Sequence, residues 1–205
     1  VMLRTAGAET YDKWVNHEIP FNDPAVATAL AEVGKILKND KFVNGGFGDV
    51  KTIASTSFQD AGQPILDGTC YMHRQASFYA ANWPEGTEVA EDGDIFAFYL
   101  PPIDEAQGKP VLGGGEFVAA FSDRPEVQAF QAYMATADWH NERASGPNFV
   151  SANLEVPLDA YDSPINRLSA EILQDENAVF RFDASDLMPG AVGTGSFWTG
   201  MVDWL

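Results

Sequence analysis

The sequence has very little cysteine, few cationic side chains and no long apolar run. Its single cysteine, Cys70, excludes an intramolecular disulfide framework and a cysteine-rich zinc module. Lysine and arginine together number 12 against 30 aspartates and glutamates, a formal net charge of −18 at pH 7. A surface this acidic excludes nucleic acid and anionic membranes as favoured partners. No apolar stretch reaches the ~18 residues that a transmembrane helix needs, and no signal peptide is visible.

The 205 residues suffice for one large domain or two small ones. Hydrophobic residues make up 45% and aromatic residues 12%, which provides for a sizeable core and argues against bulk disorder. The apolar start at Val1 and the apolar, helix-like end at Leu205 lead us to expect a fragment of a longer protein.

Apolar periodicity predicts helices that alternate with short strands, the pattern of an α/β fold. Asp23 and Pro24 form a clear helix start, followed by an apolar stripe of Val26, Leu30 and Val33. Other helices are predicted at 8–18, from Pro125, at 136–144, from Ser163-Pro164, and from Thr194 as the cap of a last helix. A weaker helix, rich in serine and threonine, is predicted at 49–59. Strands are predicted at 68–73, 94–100, 116–121 and 178–182.

Catalytic and cofactor motifs are absent from the sequence. It has no G-x-S-x-G, no P-loop and no H-E-x-x-H, and Gly113 to Gly115 lack the spacing of a dinucleotide fingerprint. His17, His73 and His140 stand far apart, so solvated or core histidines are favoured and no metal or cofactor is expected. No carboxylate pair is marked out for acid–base work, which leaves a glycoside-active enzyme as an alternative without a specific motif.

The segment YMHRQASFY, residues 71–79, combines aromatic rings with hydrogen-bonding groups, as sugar sites do. It offers Arg74, Gln75, Ser77 and Phe78 after a predicted strand, at the opening of a predicted helix. Ligands of α/β proteins bind at such places. The alternative is that Phe78 and Tyr79 belong to the core and that Arg74 is solvated or ion-paired.

Five segments, in this order, resemble extracellular solute-binding proteins of sugar ABC transporters, of the maltose- and α-glucoside-binding type. They are FNDPAVATALAEVGKIL, ILDGTCYMHRQASF, DIFAFYLPPID, GKPVLGGGEFVAAFSDRPEVQAFQAYM and MPGAVGTGSFW. No single segment is diagnostic, but their order over most of the chain is fairly specific. A bare structural or interaction domain is the third hypothesis beside the binding protein and the enzyme.

The resemblance implies ligand contacts at particular residues. Met188 and Trp198 match the family's Met-Pro and the later aromatic, with Phe197 adjacent, and the Trp198 ring would stack on a sugar. Arg74, Gln75, Ser77 and Phe78 fall at the family's contacting helix start, and Gly114, Gly115 and Glu116 fall at the hinge crossover. Glu116 either accepts sugar hydroxyls or forms a hinge salt bridge. Trp83 and Phe47 are aromatic residues in predicted loops and are weaker candidates for ligand contact.

The resemblance also implies a periplasmic-binding-protein-like type II fold, present in part: most of one lobe, the hinge strand and elements of the other lobe. Residues 1–112 would be a C-terminal-lobe α/β segment, 113–162 the hinge strand and helices crossing to the other lobe, and 163–205 a returning helical segment with the cleft aromatic. The implied function is non-catalytic capture of a sugar for the permease subunits. The implied location is extracellular or periplasmic, with a lipid anchor. Strand edges left unpaired in a fragment lead us to expect a dimer or domain swap.

Overall fold

The structure is a computed structural model that describes residues 1–43 and 48–205. Its regular elements are short helices and one pair of strands. The α-helices are α1 (Met2–Thr5), α2 (Gly7–Val15), α3 (Pro24–Leu37), α4 (Pro125–Met134), α5 (Ala137–Ala144), α6 (Pro164–Gln174), α7 (Ala184–Leu187) and α8 (Phe197–Trp204). The strands are β1 (Lys109–Gly113) and β2 (Ala178–Phe182). Within the described residues, no helix has the length and apolarity needed to cross a membrane.

The chain divides into two compact units, each built from separate stretches of sequence. The first unit comprises Val1–Arg74, Leu100–Gly114 and Asn177–Leu205. The second unit comprises Gln75–Tyr99 and Gly115–Glu176. Residues distant in sequence therefore share each unit.

The sheet of the first unit is a parallel pair, β1 beside β2, with Lys109 opposite Ala178 and Gly113 opposite Phe182. Three helices, α4 to α6, lie between the two strands in sequence, as parallel pairing requires. A side chain at Gly113 would place its Cβ 2.6 Å from the Phe180 ring, so glycine is needed where the strand ends. The mixed α/β pattern expected from the sequence is present here.

In the core of the first unit, the N-terminal helices pack against the segment that follows β2. The buried residues of this core are Met2, Leu3, Tyr11, Trp14, Val26, Ala29, Ala184 and Met188. The expected start of α3 is confirmed: the Asp23 carboxylate accepts a hydrogen bond from the Ala25 N–H, and Pro24 occupies the first turn. The cap fixes where α3 begins, and the apolar face then carries Val26 into the core.

The second unit packs a small core around Tyr161. Its buried members are Ala144, Val156, Tyr161 and Ala170. The Tyr161 hydroxyl accepts a hydrogen bond from the buried Ser151 N–H at 3.0 Å, and the Ser151 hydroxyl lies 2.8 Å from His140 Nδ1. His140 also meets the Phe149 ring. It is thus a partly buried, hydrogen-bonded histidine, one of the two environments expected from the sequence.

Three predicted strands are wrong, because none of these segments forms a ladder with a second strand. In residues 68–73, the N–H groups of Thr69 and Cys70 donate to the Pro64 carbonyl and make a turn. Residues 94–100 pair only through the isolated bridge between Val89 and Ile95. Residues 116–121 form no strand and are exposed, with Phe121 99% exposed. The strand of this region is β1, which ends on Gly113, the first of the three glycines.

The weaker helix predicted at 49–59 shrinks to a 3-10 segment, and the predicted cap of the last helix is also wrong. The 3-10 segment is Val50–Ala54, capped by Asp49. The α-helix at the C-terminus begins at Phe197, and a π-helical turn, Ala191–Ser196, precedes it. Thr194 lies inside that turn, where its hydroxyl donates to the Gly190 carbonyl at 2.8 Å.

Stability at high pH is expected to depend on Tyr11. Its hydroxyl donates to the Phe182 carbonyl at 2.7 Å. Burial, with Asp183 and Asp12 nearby, raises the pKa of Tyr11 well above its usual value. Because the pKa of Tyr11 is raised in the folded protein, its neutral hydroxyl contributes full stabilisation below the ordinary pKa of tyrosine, about 10. That stabilisation is lost as the pH rises above this value.

Thermal unfolding from pH 8 to pH 12 measures this effect. The melting temperature should fall less steeply above pH 10 in Tyr11→Phe than in the unaltered protein, while Tyr11→Phe is less stable at pH 8 by about 1 kcal/mol. Tyr133→Phe, at an exposed tyrosine, is the control and should keep the unaltered slope. Equal slopes for Tyr11→Phe and the unaltered protein would contradict the prediction.

Candidate ligand-binding site

A pocket of about 450 Å³ opens in the first unit between the end of α2 and the segment that leads into α8. We call it the Met188 pocket. Its lining is mainly apolar with a few polar groups: Val15, Asn16, His17, Phe21, Met188, Pro189, Val192, Ser196 and Phe197. Two residues expected at the site from the sequence, Met188 and Phe197, therefore meet in one cavity.

Aromatic rings form one side of the Met188 pocket. The Phe197 ring packs edge-on against Trp14, with centroids 5.7 Å apart, and lies 6.0 Å from Phe21. Trp14 and Phe21 complete the cluster at 5.4 Å. The indole N–H of Trp14 is buried and has no hydrogen-bond partner among the described residues. This packing holds Phe197 as part of the core, so its ring is a wall of the pocket with a fixed orientation.

Asn16, His17 and Ser196 supply the polar groups of the pocket. His17 adopts a φ of 57°, the left-handed conformation in which non-glycine residues are uncommon. Its N–H donates to the Trp14 carbonyl as α2 ends, and its ring lies 6.3 Å from Phe21. Sequence reasoning missed His17 and Phe21, because a lone histidine after a helix carries no motif. An apolar lining with a few hydrogen-bonding groups is typical of small-molecule sites.

Trp198 follows Phe197 on the first turn of α8 and is 55% exposed. Successive residues of an α-helix point about 100° apart, so the ring lies off the face that Phe197 presents to the core. The helical phase predicted this exposure. The Trp198 ring is free to offer its face to a ligand.

Residues of the YMHRQASFY segment are divided between the units. Arg74 ends a stretch of the first unit, while Gln75, Ser77 and Phe78 belong to the second. The Gln75 side-chain oxygen accepts the Ala76 N–H at 2.9 Å, and a 3-10 helix, Ser77–Asn82, follows. Phe78 is exposed, so the alternative of a core residue is wrong for it, whereas Tyr79 is 4% exposed and buried as that alternative expects. Their contact with a ligand stays a prediction.

The glycines of the predicted hinge lie just beyond β1. A Cβ at Gly114 would stand 3.8 Å from an Asp186 carboxylate oxygen, an ordinary contact. Gly115 and Glu116 open a stretch of the second unit, and both are exposed. Both interpretations of Glu116, sugar acceptor and hinge salt bridge, stay open.

Of the two weaker candidates, Trp83 packs edge-on against Tyr79 with ring centroids 4.8 Å apart. Phe47 lies outside the described residues.

Across residues 1–43 and 48–205, no three side chains of the metal-binding types converge on a point where an ion could be held. The lining of the Met188 pocket offers stacking, apolar contact and hydrogen bonding.

The chain is similar to two curated binding proteins over its whole length. It is 44% identical over 209 residues to the alpha-glucosides-binding periplasmic protein AglE of Rhizobium meliloti (strain 1021). It is 43% identical over 207 residues to the osmoprotective compounds-binding protein GgtB of Synechocystis sp. (strain ATCC 27184 / PCC 6803 / Kazusa). All of this chain is covered, against 44% and 48% of the two relatives, so the chain spans about half of their length.

No protein-family model and no solved structure matches the chain. Both curated relatives are named as binding proteins and neither as an enzyme. The resemblance drawn from the ordered segments is thus confirmed: over its full length, this chain is similar to solute-binding proteins of which it spans about half.

Proposed function

We propose that the chain is part of the substrate-binding component of an ABC sugar importer. It would hold an α-glucoside or a related neutral oligosaccharide between two lobes and deliver it to the permease subunits. The observation that carries the proposal is the full-length similarity to AglE, whose name states that it binds alpha-glucosides. We also propose that the protein binds this ligand without converting it, as a binding protein and not as an enzyme.

The first unit supplies groups suited to such a ligand. Trp198 presents an exposed ring on the first turn of α8, directly after the Met188 pocket wall formed by Phe197. Sugar rings stack their apolar faces on aromatic side chains while their hydroxyls pair with fixed polar groups. The net charge of −18 disfavours anionic ligands, which supports a neutral solute over a phosphorylated one.

The lobe assignment belongs to the proposal as well. In a type II periplasmic-binding-protein fold, residues 1–112 would lie in the C-terminal lobe, 113–162 would carry the hinge strand and crossing helices, and 163–205 would return with the cleft aromatic. We place the protein outside the cytoplasmic membrane, as the name of AglE states for that protein, with a lipid anchor. The association of two copies of this chain stays a prediction from the sequence.

Calorimetric titration of the full-length protein with maltose tests the proposal, with the β-linked isomer cellobiose as the matched control. We expect saturable binding of maltose with a negative heat-capacity change from burial of apolar surface, and weaker binding of cellobiose. Glucose release is measured on the same samples. Absence of binding to α-glucosides would contradict the proposed ligand, and steady glucose release would favour the glycoside-active enzyme instead.

Arg74 is expected to contribute to affinity and little to folding. Its guanidinium is exposed at the end of a stretch of the first unit, where a rigid fork of donors can pair with several hydroxyls. In the full-length protein, Arg74→Ala should weaken maltose binding by about 1–3 kcal/mol, the cost of leaving polar partners unpaired. Calorimetry gives the affinity, and thermal melting without sugar should shift little. Arg143→Ala, at an exposed arginine of α5, is the control; normal affinity with lost stability in Arg74→Ala would show a structural residue.

A further inference from the structure

The turn that leads into α8 decides which of two adjacent aromatic residues faces solvent. In the π-helical turn Ala191–Ser196, the Phe197 N–H donates to the Val192 carbonyl, five residues earlier. A π turn holds one more residue than an α-helical turn. Each helical residue turns the chain by about 100°, so this extra residue sets the rotational phase of everything in α8.

Gly193 is the residue of this turn that is pressed against the rest of the first unit. It is buried, and a Cβ built on it would lie 2.1 Å from the Ser185 carbonyl oxygen and 3.1 Å from the carbonyl carbon. Both atoms are backbone of α7, so no side-chain rotation can relieve the overlap. Only a residue without a Cβ lets the π turn sit at this depth.

The depth of the turn fixes the positions of Phe197 and Trp198. With the turn seated on Ser185, the Phe197 ring reaches Trp14 and Phe21, and Trp198 remains 55% exposed. A turn displaced outward by a methyl group has to move Phe197 out of its aromatic contacts or change the phase of α8. In either case, the direction of the Trp198 ring changes.

We propose that Gly193 is a positioning residue for ligand binding, which seats the π turn on the Ser185 carbonyl and thereby aims the Trp198 ring at the ligand. This inference rests on the proposed function, since it assigns Trp198 to the sugar. Gly193 itself contacts no ligand and acts through the phase of α8.

The experiment uses the full-length protein labelled with 5-fluorotryptophan. The ¹⁹F resonance of Trp198 is assigned by its absence in Trp198→Phe. Gly193→Ala is compared with two controls in the same segment: Gly195→Ala, whose Cβ would meet its nearest neighbour at an ordinary 3.6 Å, and Gly200→Ala, which has nothing within 4 Å. A deletion of Thr194, which removes one residue from the π turn without adding an atom to it, is the second test variant.

In folded Gly193→Ala or in the deletion variant, we expect the Trp198 resonance to shift and maltose affinity to fall by about tenfold. The two control variants should keep both the resonance and the affinity. An unmoved Trp198 resonance in a folded Gly193→Ala protein overturns the proposal. So does loss of cooperative unfolding in both test variants while the controls fold, because Gly193 would then serve the fold alone. If the unaltered protein binds no sugar, the proposed function fails, and the fluorine spectra still decide whether Gly193 orients Trp198.

Discussion

Replacement of Trp198 by alanine should lower the affinity for an α-glucoside at least tenfold, a loss of about 1.4 kcal/mol. The indole ring is 55% exposed on the first turn of α8 and makes no part of the buried core. Its removal therefore costs ligand contact rather than packing. Calorimetric titration of the full-length protein with maltose gives the affinity, and thermal melting without sugar should remain close to that of the unaltered protein.

Two further variants separate ring stacking from a general change in α8. Trp198→Phe should keep part of the affinity, because a smaller aromatic face can still stack on the sugar. Val202→Ala, one turn further along α8 at an exposed position, should bind normally. Equal affinity for the unaltered protein and a folded Trp198→Ala would remove Trp198 from the site.

Replacement of Arg4 by methionine should destabilise the protein by about 2–4 kcal/mol. Arg4 is 5% exposed. Its guanidinium donates to the Leu100 carbonyl through Nε and Nη2, at 3.1 and 3.0 Å, and to the Pro110 carbonyl at 2.9 Å. Methionine keeps the length of the stem but removes the three hydrogen bonds that Arg4 donates, and Pro110 is fully buried.

Chemical denaturation of the full-length protein measures the free energy of unfolding in Arg4→Met. The matched control is Arg124→Met, since Arg124 pairs with Glu126 on the surface, where both side chains are 65% exposed. Exposed ion pairs contribute about 0–1 kcal/mol, so the control should change little. Similar losses in the two variants would contradict the role given to the buried guanidinium.

From the sequence alone, the starts of most helices and the apolar face of α3 could be predicted. The Asp23-Pro24 start of α3 and the Ser163-Pro164 start of α6 form as expected, the latter with the Ser163 hydroxyl accepting from the Asn166 N–H. Caps and 3.6-residue periodicity act between neighbours in the chain, so they can be identified without the fold. The exposed side of α8 at Trp198 could be predicted for the same reason. The resemblance to solute-binding proteins came from the order of five sequence segments instead.

Tertiary structure alone decided which extended segments became strands and where the pocket lies. The apolar run of 94–100 predicts a buried strand, but a strand needs a partner with free backbone groups, and here β1 pairs with β2 across 69 residues of sequence distance. His17 and Phe21 reach the Met188 pocket because α2 ends beside the segment after β2, a contact between residues about 170 positions apart. The need for glycine at 193 arises from the Ser185 carbonyl packed against it, since a steric limit set by a neighbouring element leaves no periodicity in the sequence.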